Sequence, residues 1–438
     1  MYNFLMFIRN YNELATSSLR ETALKIAEKG LEAIETVRVV KENVGLAGGT
    51  IVVAGKKYEV PKTAKLIVVG VGKCAILAAS ALEEILGDRI SGGLVLDVKE
   101  NDFCRLTRIE CLKGTHPFPS EANVQASKKI LALLSGLSAE DLCLFIISGG
   151  GSTLLCLPDD GATCLEEKAI LGELMKSGAP IGETNIVRKH MSLARGGYLA
   201  KQAFPARVVS LIFSDVPGND LASVASGPTV KDTTTMEDAD RILSKYGILY
   251  KCGLEHCGLV ETPKDDKYFE KVSNILAVSN EKALDAMKEE AERSGRKATI
   301  GSAHFSGEAK DFGRAIAEAI KNSAKESVML YGGETTVTIE GPAGRGGRNQ
   351  ELALSALESL GEEGEEVILA LASDGRDNGE YAGALVDKST LAKARALGLD
   401  PKNYLEMHNH TELFEKTRDL IVTGDTGANV SDLVIALK

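Results

Sequence analysis

Residues 66–73 read Leu-Ile-Val-Val-Gly-Val-Gly-Lys, and a helix-patterned run over residues 74–86 follows at once. The four apolar residues form an unbroken run, which is typical of a strand buried on both faces of a parallel sheet. The glycines and the lysine then bring backbone N–H groups and one positive charge to the carboxyl end of that strand, where α/β proteins bind ligands. This stretch predicts a strand–turn–helix unit with an anion-binding turn.

The same pattern recurs along the chain. Further apolar runs that end in a glycine or a small polar turn cover residues 142–147, 208–213, 275–278, 328–331, 367–371 and 420–422. The strands over residues 66–69, 142–147 and 208–213, separated by helical patterns, indicate a parallel sheet covered on both faces, and the later runs resume the alternation of strand and helix. Since 438 residues exceed what one core supports, we expect two α/β domains, with the second beginning near residue 265.

Composition argues against several classes of function. Subtracting 62 acidic from 51 basic residues gives a net charge of −11, which disfavours a general nucleic-acid-binding surface. No stretch of the sequence approaches the ~20 consecutive apolar residues that span a bilayer, and residues 1–10 lack a small-residue cleavage site.

The eight cysteines form no C-x-x-C pair, so we expect free thiols in a cytoplasmic protein. The group Cys252, His256 and Cys257 lacks a fourth metal ligand with suitable spacing.

Two glycine turns carry the first candidate chemistry. Gly70, Gly72 and Lys73 match neither the Rossmann nor the Walker fingerprint, because a third glycine and a following serine or threonine are missing. A lysine at a helix N-terminus is unfavourable unless an anion lies beside it, so we expect Lys73 to contact a phosphate or carboxylate.

Residues 148–153, Ser-Gly-Gly-Gly-Ser-Thr, form a second turn whose amides suit an anion. This turn lacks the closing glycine of a nucleophile elbow, which makes a serine hydrolase the weaker interpretation.

Residues 341–351, Gly-Pro-Ala-Gly-Arg-Gly-Gly-Arg-Asn-Gln-Glu, place two arginines among glycines directly before a helical pattern. Arginine offers a rigid fork of donors that matches carboxylate or phosphate, and glycine lets the backbone approach a ligand closely. We interpret the segment as an anion clamp, with a surface loop as the alternative. Arg348 lies nearest the helix start and is preferred over Arg345.

A charged helical segment and several strand-end acids add further candidates. Asn185 and Lys189 lie four residues apart and share a helix face, with Arg188 beside them. This face either binds an anion or is turned to solvent, and His190 is either a helix-end group or catalytic. Acidic residues that follow strands suit Mg²⁺, a base for a substrate hydroxyl, or a helix cap. They are Asp215, Glu334 and Asp374, with Asp377 and Asp387 further along.

Taken together, these segments resemble the class II glycerate kinases, the glycerate 2-kinase family whose C-terminal part is the MOFRL domain. The matching blocks are residues 69–73, 115–119, 148–155, 183–200, 214–218, 225–229, 332–337, 344–351, 372–375 and 423–430. So many ordered blocks over nearly the whole chain exclude a chance likeness.

The resemblance implies a Rossmann-like three-layer α/β/α domain over residues 1–264 and a smaller α/β domain over residues 265–438, with the active site in the cleft between them. It implies ATP-dependent phosphorylation of D-glycerate at the 2-hydroxyl, giving 2-phosphoglycerate and ADP, with Mg²⁺ as the divalent metal. We expect a monomer or homodimer with small-molecule substrates and without nucleic-acid or membrane partners.

The same resemblance suggests roles for individual residues. Lys73 would neutralise the phosphoryl group in transfer, Arg348 would hold the glycerate carboxylate or the γ-phosphate, and Asp215 completes the expected catalytic group. The expected substrate- and phosphate-binding residues are Gly70, Gly72, Ser148, Gly149, Gly150, Gly151, Ser152, Asn185, Arg188, Lys189, Glu334, Arg345 and Asn349. The expected metal ligands are Asp374 and Asp377.

The chain departs from the family pattern in one region. His408-Asn409-His410 stands where the family usually carries Asn-Asp-Ser or a similar run, Ala428 replaces a threonine, and Asp425 stands where proline is common. These changes flank a loop expected to face the cleft, so they bear on the choice among small hydroxy acids.

Two other functions stay open from the sequence. A hydroxypyruvate reductase-type oxidoreductase requires a dinucleotide fingerprint with an acidic residue ~20 positions on. Asp97 lies at a tolerable distance after Gly72, but the glycine spacing fails. A non-catalytic anion-binding protein on the same fold would have no need for Lys73, Arg348 and the carboxylates together.

Overall fold

The structure is a computed structural model that describes residues 6–99, 106–339, 341–361 and 364–438. Its contacts divide the chain into two compact units, which we call the central unit (Thr36–Val278) and the terminal unit (Met1–Glu35 with Ser279–Lys438). This division differs from the predicted boundary after residue 264, which also assigned residues 1–35 to the first domain. It differs because the N-terminal helix packs within the terminal unit and residues 272–278 pair in the central sheet.

The terminal unit begins with helices α1 (Tyr11–Leu14) and α2 (Ser18–Ala33). The helices of the central unit are α3 (Thr36–Asn43), α4 (Ala75–Leu86), α5 (Glu121–Leu134), α6 (Gly151–Leu154), α7 (Cys164–Lys176), α8 (Ile181–Lys189), α9 (Tyr198–Ala203), α10 (Met236–Lys245) and α11 (Ile248–Cys252). Its strands are β1 (Val44–Ala47), β2 (Thr50–Val53), β3 (Lys56–Tyr58), β4 (Leu66–Val71), β5 (Gly92–Asp97), β6 (Ile109–Lys113), β7 (Leu142–Ser148), β8 (Arg207–Phe213) and β9 (Val272–Val278).

The main sheet of the central unit has the strand order β6-β5-β4-β7-β8-β9, and its neighbouring strands pair in parallel. β4 and β7 are buried at every position, as their unbroken apolar runs predict. From β4 the chain adds two strands on one side and then three on the other, which is the order of a Rossmann fold. The Rossmann-like prediction is confirmed, and the order reverses between β4 and β7. The strands β1, β2 and β3 form a separate antiparallel sheet.

Among its described residues, the rest of the terminal unit contains six further helices and six strands. The helices are α12 (Asn280–Arg293), α13 (Ala309–Lys321), α14 (Arg348–Leu360), α15 (Lys388–Ala396), α16 (Pro401–Glu406) and α17 (His410–Thr417). The strands are β10 (Lys297–Phe305), β11 (Ser327–Gly333), β12 (Val367–Ala372), β13 (Gly383–Val386), β14 (Leu420–Ile421) and β15 (Asp432–Leu437).

The sheet of the terminal unit has the order β10-β11-β15-β12-β13-β14. β10 and β11 pair in parallel, whereas the other neighbours pair antiparallel, so the sheet of this second α/β unit is mixed, unlike the parallel sheet of the central unit. Both β12 and β15 are buried at every position because α13 and α14 pack on one face and α2 also contacts these strands. A strand covered on both faces carries an unbroken apolar run whichever way it points.

Two further sequence expectations concern cysteines and membranes. Free thiols are found at Cys74, Cys143, Cys156, Cys164, Cys252 and Cys257. Cys104 lies outside the described residues. Within the described ranges, no helix combines the length and apolar character needed to cross a membrane.

The Arg20 guanidinium ties α2 to two other parts of the terminal unit. Its Nε and Nη2 bond the two carboxylate oxygens of Asp387 at 2.7 Å, and its Nη1 bonds Asp419 at 2.8 Å, with the Arg20 side chain 1% exposed. Asp387 also caps α15, since it accepts the backbone N–H groups of Ser389 and Thr390. Burial would raise the pKa of Asp387, but Arg20 and the amide donors outweigh it and lower that pKa to about 2.

Replacing Arg20 by methionine should destabilise the terminal unit, because Asp387 and Asp419 would stay buried without their partner. We expect a loss of about 3–5 kcal/mol in the free energy of unfolding. Amide hydrogen exchange in α15, followed over a urea series, measures it. Lys25→Met is the matched control, since Lys25 lies on the same helix with its side chain 55% exposed, and it should change stability by less than about 0.5 kcal/mol. Equal protection in the two variants would contradict the prediction.

Candidate functional site

Both glycine turns of the central unit lie at the carboxyl ends of β4 and β7, where the strand order reverses. The backbone N–H of Lys73 donates to the carbonyl of Gly149 at 3.0 Å, so the two turns are in direct contact. Gly72 has a φ of 119°, and a Cβ there would lie 2.1 Å from Ser148 Oγ. Glycine is therefore required at this position both by conformation and by space. The switch point of such a sheet is the usual ligand site of doubly wound proteins.

Two cationic side chains and a histidine are found near the second of these turns. Gly150 has a φ of 86°, and a Cβ there would contact Lys73 Cγ at 3.4 Å and the His116 ring at 3.5 Å. Burial lowers the pKa of His116 first, and the charges of Lys73 and Arg188 lower it further. Lys73, His116 and Arg188 thus form what we call the cation cluster. His116 has no role in the sequence prediction, although it lies in one of the matching blocks, residues 115–119.

Arg188 is held at an unusual energetic cost. Burial, followed by the charge of Arg195, lowers the pKa of Arg188 to about 10. Its Nη1 donates to Asn185 Oδ1 at 3.1 Å, whereas its Nε has no hydrogen-bond partner among the described residues. Asn185 and Arg188 are therefore in direct contact, and their predicted role in binding an anion stays a prediction. A bound anion would offset the desolvation of this guanidinium.

The other charged residues of α8 face a different environment. Lys189 is buried and pairs with Asp232 at 3.1 Å, so it is not part of a face turned to solvent. His190 is also buried: its Nδ1 lies 2.8 Å from the carbonyl of Val260 and its Nε2 lies 3.2 Å from Thr234 Oγ1. These contacts are those of satisfied structural groups that tie the end of α8 to residues 232–262.

Ser152 and Asp215 lie close to the same sheet edge. Ser152 is the second residue of α6 and accepts a hydrogen bond from Ser226 Oγ at 2.8 Å. Asp215 is half-buried and follows β8, which pairs with β7. The carboxyl ends of parallel neighbours meet at one edge, so this carboxylate lies on the side of the glycine turns. Its predicted catalytic role stays a prediction.

In the terminal unit, Arg348 is the first residue of α14 and lies between two carboxylates. It forms an ion pair with Glu334, and its Nε lies 3.5 Å from Asp432 Oδ2. Burial, together with the charge of Asp377, raises the pKa of Asp432 to about 7, although Arg348 acts in the opposite direction. Asp432 is a member of the site that the sequence analysis missed, because the last strand showed no sign of lying beside residue 348.

The carboxylate of Asp377 binds the start of α14. Its Oδ1 accepts the backbone N–H of Asn349 at 3.0 Å, and its Oδ2 accepts that of Gln350 at 2.9 Å, with the side-chain amides of both residues as further donors. The oxygens of Asp377 are thus engaged by a helix N-terminus rather than open to a cation. At Asp374, Oδ1 accepts the backbone N–H of Arg376 at 3.0 Å. The predicted metal roles of both residues stay predictions.

The glycine-rich loop packs closely on its neighbours. A Cβ on Gly346 would lie 2.3 Å from His410 Nδ1, and a Cβ on Gly347 would lie 2.2 Å from the carbonyl of Asp377. The Arg345 guanidinium turns away to an exposed ion pair with Glu415 at 2.6 Å. Arg348 and these glycines line a pocket of about 520 Å³ within the terminal unit. The glycines are thus explained by packing, while Arg348 faces a space that can hold a ligand.

Two family models match the chain. Residues 22–255 match a domain of unknown function, DUF4147, and residues 327–432 match the MOFRL family. Together they span most of both units.

Curated relatives and a solved structure match over nearly the whole length. The chain is 39% identical to the glycerate 2-kinase of Pyrococcus horikoshii, over 96% of this chain and 97% of that protein. It is 38% identical to the D-glycerate 2-kinase of Thermotoga maritima, over 96% and 98%. An Agrobacterium vitis protein, 38% identical over 90% and 92%, is named putative hydroxypyruvate reductase. The crystal structure of glycerate kinase from Thermotoga maritima has a TM-score of 0.83 at 36% identity, with 96% of this chain and 99% of that chain covered.

Replacing Gly72 by alanine should destabilise the central unit more than a similar change at an open position. The strained φ costs about 1–3 kcal/mol, and the overlap with Ser148 adds about 1–3 kcal/mol. Gly136→Ala is the matched control, since Gly136 has a φ of 71° but nothing within 4 Å of a new Cβ. Urea unfolding followed by hydrogen exchange in β7 compares the two. An equal loss in both variants would show that close packing is not what requires glycine at residue 72.

Proposed function

The chain belongs to the family that joins a DUF4147 domain to a MOFRL domain, and we propose that it is a glycerate 2-kinase, which transfers a phosphoryl group from ATP to the 2-hydroxyl of D-glycerate. The products are 2-phosphoglycerate and ADP. One structural observation carries the proposal: the cation cluster lies at a glycine turn on the switch point of a Rossmann-like sheet. This placement is suited to a phosphate chain.

The donors around the second glycine turn fit a polyphosphate. The charges of Lys73 and Arg188 act on His116 and lower its pKa beyond the effect of burial, so two positive charges are held near one ring. The cost of such an arrangement is offset when phosphate oxygens lie between the cations. The amides of residues 149–151 can add neutral donors of the kind that bind anions at strand-to-helix turns. We therefore assign the phosphate contacts to this turn, with Lys73 closest to the group in transfer.

The remaining roles follow from what phosphoryl transfer requires. ATP supplies the phosphoryl group and Mg²⁺ offsets the charge on its oxygens, and Lys73 and Arg188 stabilise the charge that develops there. Asp215 accepts the proton of the 2-hydroxyl as the hydroxyl oxygen bonds to the γ-phosphorus of ATP, and the bond from that phosphorus to the β–γ bridging oxygen breaks to release ADP. The Arg348 fork binds the glycerate carboxylate, held in position by Glu334 and Asp432.

Asp374 is the better candidate for a Mg²⁺ ligand, because the oxygens of Asp377 accept hydrogen bonds from α14.

The surroundings of Asp97 disfavour the oxidoreductase alternative. Asp97 ends β5, which is the position of the ribose-binding acid in dinucleotide-binding sheets. Its carboxylate is 1% exposed and accepts the backbone N–H groups of Ile76, Val98 and Lys99. These bonds occupy the oxygens that a ribose would need. We extend the proposal to a cytoplasmic monomer or homodimer, and the free thiols support a reducing compartment.

The direct test is a product assay with D-glycerate, ATP and Mg²⁺. We expect ADP formation that depends on D-glycerate, with ³¹P and ¹H NMR identifying 2-phosphoglycerate rather than 3-phosphoglycerate. Hydroxypyruvate with NADH is the parallel assay and should give no change in nicotinamide absorbance. Reduction of hydroxypyruvate, or the absence of any ATP-dependent product from small hydroxy acids, would refute the proposal.

Substitution of the two principal cations should separate catalysis from surface charge. Lys73→Met and Arg348→Met should each lower kcat/KM by roughly 100- to 1,000-fold, because each removes a charge that stabilises bound or developing negative charge. Arg345→Met is the control, since Arg345 pairs with Glu415 while 62% exposed, and we expect a change of less than about 3-fold. Steady-state kinetics with thermal melting of each variant checks both points. Unaltered turnover in Lys73→Met and Arg348→Met would show that the residue assignment is wrong.

A further inference from the structure

One cluster in the terminal unit has no role in the proposed reaction. Glu351 in the first turns of α14 faces His408 and His410, which frame the start of α17. Glu351 Oε2 lies 2.9 Å from His408 Nδ1 and 3.3 Å from His410 Nε2. The nearest ligand-type atoms of the three side chains all lie within 4.8 Å of one another.

Several polar atoms of this cluster are buried without a partner. His410 is 2% exposed, its Nδ1 has no hydrogen-bond partner within the part of the chain that the structure describes, and its Nε2 lies 3.3 Å from Glu351 Oε2 without the geometry of a hydrogen bond. Glu351 is 1% exposed, and its Oε1 also lacks a partner there. Each buried, unsatisfied polar atom costs about 1–3 kcal/mol. A bound cation that accepts a lone pair from His410 Nε2 would remove part of this cost.

The spacing and charge of the cluster fit a small cation. Metal–ligand bonds of 2.0–2.1 Å in a tetrahedron place ligand atoms about 3.3 Å apart, close to the 2.9 and 3.3 Å that separate Glu351 Oε2 from the two ring nitrogens. The Glu351 carboxylate lies against both imidazoles, so the cluster offers lone pairs to a cation and a negative charge that repels an anion. Nitrogen ligands favour transition metals over Mg²⁺ or Ca²⁺.

We propose that Glu351, His408 and His410 form a binding site for a divalent transition-metal cation of the Zn²⁺ class. Two histidines and one glutamate supply three ligands, and the fourth position is left for water or a ligand oxygen. Both histidines line the pocket of about 520 Å³, so the fourth position opens toward it. The site does not depend on the proposed kinase activity.

The surrounding sequence supports a built site. His408 has a φ of 48°, a left-handed conformation that non-glycine residues rarely adopt and that clusters at functional positions. The glycine-rich loop encloses the histidine turn: the backbone N–H of Arg345 donates to Asn409 Oδ1 at 3.1 Å, and the backbone N–H of Thr411 donates to the carbonyl of Arg345 at 3.0 Å. A side chain on Gly346 would collide with His410. The two histidines also replace the Asn-Asp-Ser type of run of the resembled family.

The test uses the full-length chain stripped of metal with EDTA and desalted. Titration calorimetry with ZnCl₂ should give one Zn²⁺ per chain. His408→Ala, His410→Ala and Glu351→Gln should each weaken binding by more than roughly 100-fold, since even the outer partners of metal ligands change affinity by about 10- to 100-fold. His304→Ala is the matched control, because His304 also pairs with a glutamate, Glu281, at 3.4 Å but lies outside the three-residue cluster. It should leave Zn²⁺ affinity unchanged.

A second measurement covers the case in which the variants fail to fold. Wild-type protein loaded with Co²⁺ should show the visible absorption of a four-coordinate ion with nitrogen and oxygen ligands and no thiolate charge-transfer band. Such a band, Zn²⁺ affinity that is unchanged in all three ligand variants, or no Zn²⁺ binding by the wild type would each overturn the proposal. Thermal stabilisation by inorganic phosphate but not by Zn²⁺ would also overturn it and indicate an anion site.

Discussion

The carboxylate of Asp377 holds the first turn of α14, and both functional features of the terminal unit depend on this contact. It accepts the amides of Asn349 and Gln350 at a helix N-terminus, where backbone N–H groups lack intrahelical partners. Arg348 precedes these residues and Glu351 follows them, so one carboxylate orients the guanidinium and the proposed metal ligand together. Burial still raises the pKa of Asp377, which means that the amides offset only part of its desolvation.

The sequence predicts the parts of the fold that follow from burial, namely which segments are strands covered on both faces. Unbroken apolar runs at β4, β7 and β12 report strands covered on both faces, and the structure has them there. The same runs carry no information on strand direction, which is why the antiparallel insertion of β15 between β11 and β12 was not predicted. Nor does the pattern of α2 reveal that Arg20 pairs with Asp387, since that contact joins residues far apart in the chain.

The candidate site was predictable where one turn contains the chemistry and not where distant segments meet. Lys73 and the second glycine turn were found because glycine and charge coincide at strand ends. The local sequence did not show that Lys189 is buried in an ion pair, because its partner Asp232 lies on another segment. The sequence analysis interpreted the glycines before Arg348 as allowing the backbone to approach a ligand. The structure shows instead that Gly346 lies close to His410, so packing explains this glycine. Sequence shows which residues can approach closely but not what they approach.

The two units balance their cations in different ways, and this difference bears on what each can bind. In the central unit, Lys73 and Arg188 act on His116 as like charges, so the cluster favours a ligand with several negative charges. In the terminal unit, Arg348 is already compensated by Glu334 and Asp432, so its contribution is a rigid, oriented fork rather than net positive potential. A polyphosphate suits the first environment, because charge neutralisation dominates its binding. A single carboxylate suits the second environment, because its binding depends mainly on the geometry of the paired hydrogen bonds.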